Sequence, residues 1–267
     1  LPYMHTLTDL KVPAGSVAIH WFEQSTFALK DAHGTIVQID PYFPRNRPAE
    51  RFIHAQPPLD EADLPTNYIL LTHDHGDHTC VESIERIQQA YPQVRVIGPE
   101  ESIDRVLSET KVKPQNTTTI MAGDSVEMDE MTAYVVYAKP PTGDPAAGIK
   151  PPDVTHLGYV IKTDGPTLYF SGDPIHTFPD HADLIKDVLK RKPDIGFLTN
   201  HPTEGEFPFY AGSVQMARKL QLKHAAPSHY ACFVKRDYNP QEWAAQFEPD
   251  GPPTLIIPRN SHIIYPQ

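Results

Sequence analysis

Four potential metal ligands, His73, His75, Asp77 and His78, fall within six residues, directly after the apolar run Tyr68-Ile69-Leu70-Leu71. A short run of that kind reads as a buried strand. Strand ends are where a sheet protein presents loops for chemistry, so the fold has to bring this strand to an accessible edge. In extended backbone His73 and His75 share a face and can chelate one ion. Gly76 permits a sharp turn. Asp77 and His78 then point elsewhere; they can hold a second ion, or Asp77 can orient a bound water. Imidazole with carboxylate suits Zn or Mn, and also Fe. A lone loop histidine is usually solvated, but this spacing behind a buried strand points to a divalent metal site of one or two ions.

Further strands are expected at 16–22, 26–30, 35–39, 94–97, 132–138, 157–162, 167–170, 195–198, 254–257 and 262–265. Thr26–Lys30 and Thr35–Ile39 read as a hairpin across Asp31-Ala32-His33-Gly34. Helices are expected at 81–90, 101–107, 182–190, 211–220 and 241–247, with Thr79 as the N-cap of the first. Both halves of the chain run from strands to mixed strands and helices, and no boundary separates them. That order predicts two packed sheets with helices outside, in one domain spanning 1–267. Two Pro-rich loops, Arg45 to Pro65 and Lys139 to Thr155, are long for plain connections, and the second is a candidate lid.

With 267 residues, 39% hydrophobic and 21% charged, the composition is that of a globular protein. The net charge of -11 argues against a nucleic-acid partner, which needs clustered Lys and Arg. The short basic runs Lys190-Arg191-Lys192 and Lys235-Arg236 read as a helix end and a solvated loop. No run approaches the ~20 apolar residues of a membrane helix, so no membrane partner is expected. Leu1 to His5 is neither a signal nor a transit peptide. The location expected is cytoplasmic, with removal of an upstream leader left open. Two cysteines, Cys80 and Cys232, exclude a disulfide scaffold and read as small buried residues.

His-x-His-x-Asp-His at a strand end resembles the mark of the metallo-β-lactamase fold superfamily. That resemblance implies an α+β protein: a four-layer αβ/βα sandwich of two mixed β-sheets flanked by helices, with the metals at one edge. Ile39-Asp40-Pro41 is similar to its first motif, whose Asp braces the metal loop from behind. Phe170-Ser171-Gly172-Asp173 is similar to the strand whose Asp bridges the metals, and Pro227-Ser228-His229-Tyr230 to the last histidine. Taken alone, Asp173 also suits a turn, His229 a core position and Asp40 a residue before Pro. His156, just before a strand, stands where the family often places the third histidine of the first metal; His176 and His201 are alternatives. Ile19 to Phe22, Gln24 to Phe27, Ile97-Gly98-Pro99, Ala146 to Ile149 and Leu168 to Asp173 resemble the ascorbate-6-phosphate lactonase-like branch.

The resemblance implies hydrolysis by a metal-activated water on a lactone, ester or amide of a small molecule. Asp77 would orient the nucleophile or take a proton. Tyr230 could donate to a developing oxyanion or simply pack. Asn200 and His201, ending an apolar run, could line a substrate pocket or form a turn. Two other functions fit the same superfamily: a phosphodiesterase, and a non-hydrolytic metal-binding or redox protein. The partner expected is a small-molecule substrate, with self-association into a homo-oligomer left open.

Overall fold

The apolar runs become the strands of two facing sheets. The computed structural model describes residues 4–266; Leu1 to Tyr3, part of the segment read as no targeting signal, and Gln267 lie outside the described residues. The strands of the first half are β1 Val17–Glu23, β2 Thr26–Lys30, β3 Ile36–Ile39, β4 Tyr68–Leu70, β5 Arg95–Gly98 and β6 Thr117–Thr119. Those of the second are β7 Ser125–Met128, β8 Met131–Tyr137, β9 Leu157–Lys162, β10 Thr167–Phe170, β11 Ile195–Thr199, β12 His224–Ser228 and β13 Ser261–Tyr265. One sheet has the order β13-β1-β2-β3-β4-β5-β6 and the other β12-β11-β10-β9-β8-β7. Both are mixed. β13 through β3 pair antiparallel and β3 through β6 parallel. β7 through β10 pair antiparallel and β10 through β12 parallel.

Alternation along the strands builds the layers. On β4, Tyr68 and Leu70 face the core between the sheets, with Val17, Ile19, Phe27, Tyr159 and Phe170. After α1 Thr6–Asp9, the helices of the first half are α2 Val81–Ala90 and α3 Glu100–Glu109. Ile69 and Leu71 face the other way, against Ile84 and Ile87 of α2 and Ile103 and Val106 of α3. Leu184 and Val188 of a helix at Ala182–Leu189, and Val214, Met216 and Ala217 of one at Tyr210–Lys219, cover the second sheet. Each such fully buried aliphatic side chain contributes ~1.5–3 kcal/mol. The result is the α+β four-layer sandwich with helices outside both sheets.

Some elements differ from expectation. Residues 254–257 form no strand; only Thr254 makes a bridge, to Ala225, because Pro252, Pro253 and Pro258 remove ladder donors. Strands β6, β7 and β12 carry too few large apolar residues to read as strands, and sheet pairing overrides that weakness. Thr79 is not the N-cap of α2; Cys80 takes that position. The Thr79 hydroxyl instead donates to the His73 carbonyl at 2.8 Å and meets Ser102 Oγ at 2.9 Å, tying the histidine loop to α3. Cys80 and Cys232 are buried and free. Among the described residues no helix is long and apolar enough to cross a membrane.

On the outer face of β1, the His5 and His20 rings meet edge to face at 4.6 Å, and His20 Nε2 lies 3.0 Å from Asn260 Oδ1. Burial, then the charge of His262, lowers His5 to about 4. Burial lowers His20 to about 3 against the opposing Asn260 bond. Both rings are therefore neutral when folded and take protons near pH 6.5 once unfolded. Between those limits the unfolded state binds more protons, so stability falls as pH falls. Acidification from pH 7 to pH 5 should lower stability by about 2 kcal/mol for each ring. His20→Gln, which cannot titrate in this range, should flatten the slope in urea titrations at the two pH values; an unchanged slope removes His20 from the account.

Candidate metal centre

β3 and β4 run parallel and end side by side, and that adjacency builds the site. Asp40 follows β3 in the left-handed region, with φ of 45°. From there its carboxylate reaches across to the chain leaving β4. Oδ1 accepts from the Thr72 backbone N–H at 2.8 Å, and Oδ2 from the Thr72 hydroxyl at 2.6 Å and lies 2.7 Å from His78 Nδ1. The Thr72 hydroxyl also meets His73 Nδ1 at 2.9 Å. Both rings thus have Nδ1 engaged behind them and Nε2 left in front, the arrangement that orients metal-binding histidines. The turn at the motif is closed by the His78 and Thr79 N–H groups, both donating to the His75 carbonyl at 2.9 and 2.7 Å. It does not draw on the freedom of Gly76, whose φ is not positive.

The second sheet supplies the rest. His156 precedes β9 and stacks on His73 with ring centres 4.0 Å apart. Asp173 follows β10, after Gly172 at φ of 56°. His229 follows β12 at φ of 70°, its N–H donating to the Gln24 carbonyl at 2.9 Å. Three groups of ligand atoms result, each within 4.8 Å of one another: His73, His75 and His156; His73, His78 and Asp173; Asp77, His78 and His229. The first and third groups share no residue. Asp173 lies between them, with oxygens 3.5 Å from His73 Nε2, 3.3 Å from His78 Nε2 and 3.6 Å from His229 Nε2.

The electrostatics follow from burial. Burial holds His73 well below its ordinary value, helped by the nearby His78 charge, and lowers His156 to about 3, helped by Lys139. Both rings are neutral at physiological pH, the form that ligates. Burial also opposes charge on His78, but Asp173, Asp77 and Asp40 outweigh it and raise that ring well above its ordinary value. For Asp173 and Asp77, burial would raise the carboxyl; the surrounding imidazoles, His78 first, win and lower it. Asp40 goes the other way, raised by complete burial against the pull of His78.

Other candidates sit elsewhere. His176 Nδ1 is 2.6 Å from the Phe207 carbonyl, and His201 Nδ1 accepts from the Thr203 and Glu204 N–H groups. Neither joins a group with His73 and His75. Asn200 is fully buried and its amide donates to the Leu198 carbonyl and to Tyr238 Oη. The Tyr230 ring stacks on Trp21 at 4.4 Å and packs on Tyr238 at 4.9 Å; among the described residues its hydroxyl bonds no member of the cluster. Two residues not among the expected ligands join the cluster. Gln24 Nε2 donates to Asp77 Oδ2 at 2.9 Å and lies 3.0 Å from His229 Nε2. Asp153, from the loop 139–155, lies 3.0 Å from His75 Nε2. That loop is pinned in place, with Thr155 donating to Glu101 and Asp144 accepting from Thr177.

The donor set fits a divalent metal. His73 Nε2, His78 Nε2, both nitrogens of His156 and Asp173 Oδ1 are buried without a hydrogen-bond partner, a costly state for polar atoms unless something else satisfies them. Nitrogen and carboxylate donors are what Zn, Mn and Fe accept. Beside the cluster is a cavity of about 340 Å³ lined by Glu50, Arg51, Asp77, Phe233, Lys235 and Arg236.

Residues 35–230 match the model of the beta-lactamase superfamily domain, and the chain belongs to that superfamily. A UPF0173 metal-dependent hydrolase of Rhizobium meliloti is 28% identical over 252 residues, covering 89% of this chain and 94% of the relative. A protein of Salmonella newport named "Probable L-ascorbate-6-phosphate lactonase UlaG" is 26% identical over 188 residues, covering 65% of this chain but 51% of its own length. In structure the chain is similar to an isothiocyanate hydrolase from Delia radicum gut bacteria, with a TM-score of 0.70 at 18% identity, covering 92% of this chain and 98% of the other.

Gly172 is the tightest point of the site's backbone. A Cβ there would run into the Leu157 carbonyl and stand 3.3 Å from the Thr72 Cβ, besides carrying an unfavourable positive φ. Gly172→Ala should cost about 2 kcal/mol or more and lower metal uptake by displacing Asp173. Chemical denaturation and elemental mass spectrometry check this; wild-type values for both would show that the loop adapts freely.

Proposed function

We propose that this protein is a metal-dependent hydrolase acting on a lactone, ester or amide bond of a small molecule. The observation that carries the reading is the convergence of unpartnered, buried nitrogens of His73, His78 and His156 with Asp173, next to a cavity that Asp77 lines. His73, His75 and His156 would hold one divalent ion and Asp77, His78 and His229 a second, with Asp173 between them. Such ions supply Lewis acidity and lower the pKa of a water from 15.7 towards ~7.

The chain's own groups do the remaining work. Asp77 is ionised at neutral pH and lines the cavity, so its carboxylate can accept a hydrogen bond from an attacking water and orient it. Gln24 Nε2, bonded to Asp77 Oδ2, sets the orientation of that carboxylate. Asp40 and Thr72 hold the rings of His73 and His78 from behind. The name of the Rhizobium relative supports metal-dependent hydrolysis, and that of the Salmonella relative supports a lactone as one substrate class.

Elemental mass spectrometry on protein purified without a chelating tag should find about two equivalents of Zn, Mn or Fe, since two ligand groups share no residue. His73→Ala should lose metal and abolish turnover across a panel of lactones and 4-nitrophenyl esters; full metal content with full activity would sink the assignment. His156→Ala should lower metal occupancy far more than His176→Ala, whose ring already faces the Phe207 carbonyl. Equal losses from the two variants remove His156 from the ligand set.

A further inference from the structure

The cavity at Asp77 is built from two loops far apart in sequence. One is the Pro-rich loop 45–65; the other follows His229. They are joined by a bridge between Phe52 and Phe233, with the Val234 N–H donating to the Arg51 carbonyl at 2.9 Å and the Ile53 N–H to the Cys232 carbonyl at 3.0 Å. The first loop is anchored further by Arg47, whose guanidinium is buried against the Glu23 carboxylate. Arg51 is therefore held by backbone, and its guanidinium lies over the rings of Phe52 at 5.4 Å and Phe233 at 5.3 Å. Cation–ring stacking of this kind fixes the plane of the fork and leaves its donors free.

The charges lining the cavity are unequally committed. Arg236 is tied to Glu204 at 3.2 Å and Glu206 at 3.4 Å. Asp77 is held by Gln24 and faces His78 and His229. Among the described residues, Arg51 and Lys235 have no carboxylate within 4.0 Å, and Glu50 has no cationic partner. Arg51 and Lys235 are thus the cations of this lining left open to a ligand, against one unpaired anion, Glu50. Arg51 and Asp77 line the same cavity. The volume, about 340 Å³, is that of a small-molecule pocket.

We infer that this cavity selects an anionic substrate: Arg51, with Lys235, takes a carboxylate or phosphate group of a molecule whose scissile bond reaches the cluster at Asp77. The scissile bond rests on the hydrolase reading; the anion subsite does not. A planar guanidinium stacked on aromatic rings recognises either oxyanion through paired N–H donors, and Phe233 offers apolar wall to the body of the molecule.

The test compares two esters of similar length on the metal-loaded full chain: mono-4-nitrophenyl glutarate, which carries a carboxylate, and 4-nitrophenyl butyrate, which carries none. The ratio of kcat/KM should favour the glutarate ester by about tenfold or more, the worth of a charge-assisted bond. Arg51→Met should collapse that ratio through a higher KM for the anionic ester, Arg51→Lys should restore part of it, and Lys235→Met should reduce it. Equal kcat/KM for the two esters, or a preference that survives Arg51→Met, overturns the inference. Calorimetric titration of glutarate and of inorganic phosphate into the metal-free chain separates this from the hydrolase reading. Binding that Arg51→Met removes, without turnover of either ester by the loaded enzyme, supports the subsite and sinks the hydrolase reading alone. Absence of both anion binding and ester preference overturns the subsite.

Discussion

The site depends on one buried carboxylate. Asp40 is fully buried, and an uncompensated carboxylate there would cost several kcal/mol. It is compensated by the Thr72 N–H, the Thr72 hydroxyl and His78 Nδ1, all from the chain that leaves the neighbouring strand. Satisfying Asp40 therefore fixes the start of the histidine loop and the rotation of His78. Through the Thr72 hydroxyl it fixes His73 as well. Ring orientation at the cluster is thus a consequence of pairing two parallel strands in a definite register, Ile39 beside Leu70.

Around that brace the cluster is a buried mixture of acid and imidazole. Desolvation alone would favour the neutral forms of His73, His78, His156, Asp77 and Asp173. The carboxylates of Asp77 and Asp173 stay charged because His78 and His229 are close, and His78 is drawn toward its protonated form because they are. His73 and His156, with less acidic company, stay neutral. Backbone strain gathers here too: Gln24, Asp40 and His229 all have positive φ without being glycine. Such conformations cost energy and persist only where surrounding structure holds them; here it is the inter-sheet bridge of Gln24 to Tyr230 and the Asp40 network that hold them. The folded chain is organised around a constellation that metal ions would complete.

The two halves of the chain contribute differently. The first sheet provides the contiguous motif and its brace, and the second provides His156, Asp173 and His229 one at a time, each from the end of a separate strand. Loops from both halves then close over the edge and carry the cavity with its stacked Arg51. Placing chemistry at one shared edge lets the core behind it remain apolar and close-packed, and lets the loops set the character of the substrate.

How much of this is legible in the chain depends on how local each property is. The motif His73 to His78 and the Asp after Phe170-Ser171-Gly172 sit at the ends of apolar strands, and such strand ends show in the hydropathy pattern of a few residues, whereas the histidine after Pro227-Ser228 is legible only through its resemblance to the last histidine of the superfamily. The buried strands β1, β2, β4, β5, β9 and β10 show for the same reason. The polar strands β6 and β7 and the small-residue strand β12 do not, since their stability comes from the neighbours they pair with. Nor do the roles of Gln24, Asp153 and Arg51, polar residues whose placement rests on contacts with segments tens to hundreds of positions away. By itself, then, the sequence determined the strand-rich sandwich and the residues able to ligate, because alternation, burial and side-chain chemistry are local. Only the tertiary structure decided that His156 rather than His176 or His201 lies beside His73 and His75, that Asn200 and Tyr230 pack into the core, and that Lys235 lines a cavity. Those outcomes depend on how two sheets meet at their edge, and that register is a property of long-range packing.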